Sequence, residues 1–189
     1  MCYPHGRLPF LRGFHKRPRA GERLEKLARR IESASQQDEE RLVKVREAER
    51  LRSRAALELH SLCAALVEAV NGLLTKPAVE LSPPDYSEAS FRETGANVFQ
   101  INVSGRMVHL EFQATETLSS TERFRIPYIL EGAVRAFNQE LLDLAVVPEQ
   151  LLFCCPGRGR LDWLWFDPRT QHSGPLDQDR LITLFEQLL

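Results

Sequence analysis

The chain has 189 residues, 43% hydrophobic and 27% charged, which are ordinary globular values and exclude a collagenous or low-complexity polypeptide. Its formal net charge of −1 conceals an asymmetry: residues 1–30 hold nine Arg or Lys against two Glu, a net of +7 that leaves −8 for the remainder. Four cysteines (Cys2, Cys63, Cys154, Cys155) are too few for a secreted disulfide framework in a chain this long, so a reducing, cytoplasmic location is expected.

Residues 1–20, MCYPHGRLPFLRGFHKRPRA, contain no acid and follow neither helical nor strand periodicity, which predicts an unfolded basic arm. Its cations, Arg7, Arg12, Lys16, Arg17 and Arg19, are the candidates for neutralising phosphates on a nucleic acid or lipid surface. A solvated tail or a translated spacer explains the same composition. No apolar segment of a leader's length follows the arm, and no apolar run approaches the ~18 residues of a membrane span, so neither is expected.

From 21 to 76 the composition is helical: no proline before Pro77, one internal glycine at Gly72, and abundant Glu, Arg, Leu and Ala. Its apolar positions divide it. Leu24, Leu27 and Ile31 start a seam that is lost between Ser33 and Glu40 and resumes at Leu42, Val45 and Ala48. A better stripe follows at Leu51, Ala55, Leu59, Leu62, Leu66, Val70 and Leu73, suited to lying on a sheet. The charged first half lacks such cover. It is therefore expected to fray or to be held by a second copy of itself in a loose coiled coil, since helices draw most of their stability from packing.

Residues 77–189 read as an α+β domain: a mainly antiparallel sheet of about five strands with helices packed on it and a helix at the C-terminus. Ser82-Pro83-Pro84-Asp85 marks a connection and Ser87 to Thr94 a weak strand. Asn97 to Val103 and Arg106 to Ala114 form a hairpin about Ser104-Gly105, a register that sets Ile101 opposite Val108 and Gln100 opposite His109. Residues 128–145, YILEGAVRAFNQELLDLA, place Leu130, Ala133, Val134, Phe137 and Leu141 on one helical face and are read as a helix. The alternation Phe124, Ile126, Tyr128, Leu130 and the glycine at 132 favour a strand for the first half instead.

Leu151 to Cys155 and Leu161 to Phe166 flank Pro156-Gly157-Arg158-Gly159-Arg160 and spell a second hairpin. Both of its faces are apolar, so both must be covered. The 51–74 stripe suits one side; the 128–145 helix, the C-terminal helix or a partner chain suits the other. Ser173-Gly174-Pro175 is read as a turn, and Asp177 as the cap of a last helix bearing Leu181, Leu184, Phe185 and Leu188.

The chemical signals are sparse. Adjacent Cys154 and Cys155 point to opposite faces of a strand and make a poor disulfide or chelate. His60 and Cys63 with a third thiol lack the paired spacing of zinc sites, and the glycine-arginine loop lacks the Lys-Ser/Thr ending of a phosphate loop. No cofactor and no metal is expected. The polar side of the first hairpin carries Gln100, Asn102, His109 and Glu111, of which His109 and Glu111 share a face and suit acid–base chemistry; a solvated sheet surface explains them as well. The order of long helix, three strands, helix, two strands and helix resembles the general layout of small secretion chaperones. It also resembles domains that dimerise through a helical stalk. That likeness, of layout without a shared motif, implies partner binding. The expected function is a non-enzymatic protein-interaction module, a homodimer binding another protein. The alternatives are a nucleic-acid-associated protein using residues 1–30, a small chaperone-like binder, or an enzyme built on His109 and Glu111.

Overall fold

A computed structural model describes residues 20–138, 145–157 and 159–189, with the side chains of 145–147 excepted. The arm cations Arg7, Arg12, Lys16, Arg17 and Arg19 lie outside the described residues. The described elements are a long helix α1 (Ala20–Leu73), seven strands and a short C-terminal helix α2 (Gln178–Glu186). The chain divides into two compact units, one up to Leu42 and one from Val43 to Leu189. In the first, every described residue is helical and exposed.

The second unit is an antiparallel meander in which spatial order follows chain order: β1 (Val79–Ser82), β2 (Asn97–Val103), β3 (Arg106–Ala114), β4 (Leu130–Asn138), β5 (Ala145–Pro156), β6 (Leu161–Asp167) and β7 (His172–Pro175). The α+β class, long helix and C-terminal helix agree with expectation, but the strands number seven. The β2–β3 register is the expected one, with Phe99 opposite Leu110, Gln100 opposite His109 and Ile101 opposite Val108. The turn explains why: Ser104 and Gly105 both take positive φ, 46° and 83°, the pair of conformations that matches the twist of two adjoining strands.

Three stretches differ from the sequence reading. Residues 128–145 were expected as a helix, but Leu130–Asn138 is strand β4, paired over its length with β3. The outer face of this strand mixes apolar Ala133 and Phe137 with Glu131 and Arg135, which blurs the alternation that identifies strands, so its apolar residues satisfy a helical template equally well. Gly132 carries the physical reason for the strand. A Cβ there would lie 2.0 Å from the Glu111 carbonyl oxygen, so β4 approaches β3 at a distance only glycine permits. The expected weak strand at Ser87 to Thr94 is instead a 3-10 turn over Glu88–Ser90, followed by a bend in which the Asn97 amide bonds both the N–H and the carbonyl of Arg92. The edge is taken by β1, which Asn71 at the end of α1 fixes: its Oδ1 accepts from the N–H groups of Ala78 and Val79, and its Nδ2 donates to the Val79 carbonyl. Third, His172 and Ser173-Gly174-Pro175 form the edge strand β7, not a turn.

One face of the sheet carries both helices. Ala55, Leu59, Cys63 and Leu66 of α1 and Leu181, Leu184 and Leu188 around α2 are buried in one cluster with Phe99, Ile101, Leu110, Phe112, Val134, Leu152 and Trp163. Of the expected stripe, Leu51, Leu62 and Val70 are half-buried and Leu73 is exposed. The Trp163 indole N–H donates to the Ala55 carbonyl at 2.9 Å, tying β6 to α1. Asp177 caps α2 as expected, its carboxylate accepting from the Arg180 N–H. One 18-residue window of α1 has mean hydropathy 1.2, long and apolar enough by composition to cross a membrane; core helices pass the same test, and α1 contributes the buried residues just named.

The other face is covered locally by the segment between β3 and β4. Phe124 stacks flat on Phe153 at 4.8 Å between centroids, Tyr128 tilts onto the same ring at 4.7 Å, and Cys155, Leu164 and Phe166 complete a second small core. The doubly apolar β5–β6 ribbon is therefore covered on both sides, by helices on one and by this crossing segment on the other.

Candidate functional site

The polar surface beyond that second core is built by strand alternation. Gln100 and Asn102 on β2 and Met107, His109 and Glu111 on β3 point away from the helices, and β4 adds Arg135 beside His109. The Gln100 amide meets His109 Nδ1 at 3.2 Å, while His109 Nε2 stands 3.9 Å from Glu111 Oε2. Glu111 in turn accepts from Arg135 at 3.2 Å, and the same guanidinium donates from Nε to Glu149. The expected candidates are thus joined in a row, Gln100–His109–Glu111, with Asn102 on the same face one position further along β2 and without a bond to the row.

Arg135 and Glu149 are the members that sequence reasoning missed. Arg135 lay in a segment read as a helix, so its pairing across two strands was not visible. The His109 side chain is 20% exposed and Glu111 41%. Burial holds the His109 pKa below the ordinary histidine value; Glu111 acts to raise it and Arg135 to lower it further. A neutral imidazole at physiological pH beside a carboxylate already held by an arginine is an arrangement that orders a surface. Beside it lies a shallow depression of about 230 Å³, lined by Glu111, Gln113, Arg123, Glu131, Arg135 and Glu149 but not by His109. That depression is thus shared by the acid and the arginine and not by the imidazole.

A second polar cluster has no counterpart in the sequence reading. Arg52 of α1 is buried, and its guanidinium reaches the segment that covers the second core. Nε donates to the Ile129 carbonyl at 3.1 Å, and the terminal nitrogens donate to the carbonyls of Thr115 and Thr117, to the Thr115 hydroxyl and to the Glu93 carboxylate. These bonds tie α1 to both ends of residues 115–129, so Arg52 is a clasp at the neck of that segment. The signal that would have found it is a charge on the core stripe: Arg52 falls between Ala48 and Ala55, four and three residues away, where an apolar side chain belongs.

The three thiols among the described residues are buried. Burial pushes Cys63 up to about 12 and Cys155 up to about 11, and raises Cys154 strongly, with neighbouring Cys155, Glu58 and Asp162 adding to it. Cys154 faces the helices and Cys155 the second core, on opposite sides as expected. The His60 Nε2 meets the Pro83 carbonyl at 2.9 Å. Among the described residues no three His, Cys, Asp or Glu side chains come together as a metal-binding group. Gly157 and Gly159 flank the tip of the β5–β6 hairpin, where Arg160 pairs with Asp162 at 2.9 Å.

The remaining candidate surface is in the first unit. Leu24, Leu27, Ile31 and Leu42 are 66%, 52%, 60% and 54% exposed, large apolar side chains on a helix with no cover among the described residues. No family model, curated protein or solved structure matches the chain.

Proposed function

We propose that the protein is a non-enzymatic, cytoplasmic interaction module that acts as a homodimer and holds another protein. One observation carries the reading: Leu24, Leu27, Ile31 and Leu42 of α1 stand in solvent, whereas Ala55, Ala56, Leu59, Cys63 and Leu66 are buried. An isolated helix of charged composition is marginal in water, so a segment of this kind is stabilised by an apolar partner surface. The row Gln100–His109–Glu111–Arg135 supports the same reading from the other side. Its carboxylate is committed to Arg135 and its histidine to Gln100, which suits a hydrogen-bonded surface better than acid–base catalysis.

The test is the solution mass. Light scattering across the micromolar range is expected to give twice the chain mass of 21.6 kDa at the upper end, with dissociation on dilution. A monomer throughout, with residues 22–50 resistant to protease, defeats the reading. Recovery of a second, stoichiometric protein with the full-length chain identifies what the dimer holds.

A further inference from the structure

The exposed seam of the first unit has charged flanks of opposite sign, and these fix the direction in which it pairs. With about 3.6 residues per turn, residues seven or eleven apart return to nearly the same side of a helix. Leu24, Ile31 and Leu42, with Leu27, Ala28 and Ser35, form the seam. Arg23 and Arg30, seven apart, and Arg41, eleven further on, line one flank. Glu25, Glu32 and Glu39, at successive steps of seven, line the other. All twelve of these side chains are exposed.

We propose that this helix face binds a second copy of itself in parallel and in register. In a parallel pair related by a two-fold along the helix, the right flank of one chain meets the left flank of the other. Basic then faces acidic on both sides of the seam. Arg23, Arg30 and Arg41 come opposite Glu25, Glu32 and Glu39 of the second copy, each pair offset by two residues, or ~3 Å, along the axis. In an antiparallel pair like flanks meet, arginine on arginine and glutamate on glutamate, whatever the register. The seam supplies association and the flanks supply direction. Asp38 is the feature that opposes tight pairing: it lies on the seam, and parallel chains bring two of its carboxylates together beside Arg41. The pairing is accordingly weak and reversible.

The inference rests on the homodimer reading, and its test separates the two. In a full-length Cys2→Ser background, Ala28→Cys and Ser35→Cys are made singly, with Ser33→Cys on the opposite side of the helix as control. The three remaining native thiols are buried. A parallel pair brings residue 28 to its own copy and residue 35 to its own copy, so both variants form disulfide dimers on mild oxidation much faster than the control. Any antiparallel register permits this at one position at most, because the two lie ~10 Å apart along the axis. One fast variant, or none while light scattering still gives a dimer, overturns the parallel seam and leaves the homodimer standing. None with a monomeric mass overturns both. A second measurement does not depend on oxidation. Arg23→Glu/Arg30→Glu is expected to weaken the dimer about tenfold at low salt, and adding Glu25→Arg/Glu32→Arg to the same chain to restore it. No weakening, or weakening without restoration, overturns the inference.

Discussion

The two halves of α1 are built from the same helix-forming residues and meet opposite fates. From Ala48 onward the stripe is short-sided and regular, Ala48, Arg52, Ala55, Leu59, Cys63 and Leu66, and every one of those side chains is buried. Up to Leu42 the seam is interrupted by Ser35 and Asp38, and none of it is covered within its own unit. Both halves are helical, and burial separates them. What distinguishes them is whether the apolar face has a sheet to lie on.

Substitutions at matched positions break or sharpen that contrast. The largest loss is expected for Leu59→Ala, fully buried between α1 and the sheet: about 2–5 kcal/mol by urea unfolding, from lost transfer energy and the cavity left behind. Arg52→Met comes next, at about 2–4 kcal/mol. It strands the Thr115 carbonyl, leaves those of Thr117 and Ile129 to the Thr115 donors alone, and loosens the segment over the second core, which faster thiol modification of Cys155 would report. Asp177→Ala removes the α2 cap and is expected to cost about 1 kcal/mol. Leu27→Ala, at concentrations where the chain is monomeric, is expected to change stability by less than about 0.5 kcal/mol while weakening association. A loss comparable to that of Leu59→Ala would mean that the first half is packed after all.

The smallest expected effect is electrostatic. Because burial lowers the His109 pKa, the folded state favours the neutral ring. Its contribution is complete above the ordinary histidine value near 6.5 and is lost as pH falls through the lower, folded value. His109→Gln should flatten the stability profile on the acid side of pH 6.5 and leave it unchanged at pH 8. Glu111 and Arg135, which act on the ring in opposite senses, remain in place in that variant.

The elements most legible in the sequence were those whose signal is local. The β2–β3 register followed from Ser104-Gly105, the β5–β6 ribbon from the glycine-rich tip between two apolar runs, and the start of α2 from Asp177. What stayed hidden depends on distant neighbours. β4 is a central strand whose outer face mixes Ala133 and Phe137 with Glu131 and Arg135 and so blurs its alternation, and the close contact at Gly132 exists only once β3 lies beside it. β1 and β7 have four residues each and owe their strand geometry to the sheet they edge. For the candidate site, His109 and Glu111 were visible because one strand carries both. Arg135, Glu149 and the Arg52 clasp were not, since each joins elements far apart in the chain.

The placement of the two indoles, the only tryptophans in the chain, has a practical consequence. Trp163 donates its N–H into α1, and Trp165 lies beneath the guanidinium of Arg180 on α2, 4.0 Å from its ring centre. Each helix thus presses on its own chromophore. Replacing Trp165 with Phe would leave emission that follows only the long helix as it lifts from the sheet, and replacing Trp163 with Phe would isolate the short one. The molecule carries two separate optical gauges of its own undocking, with no label added.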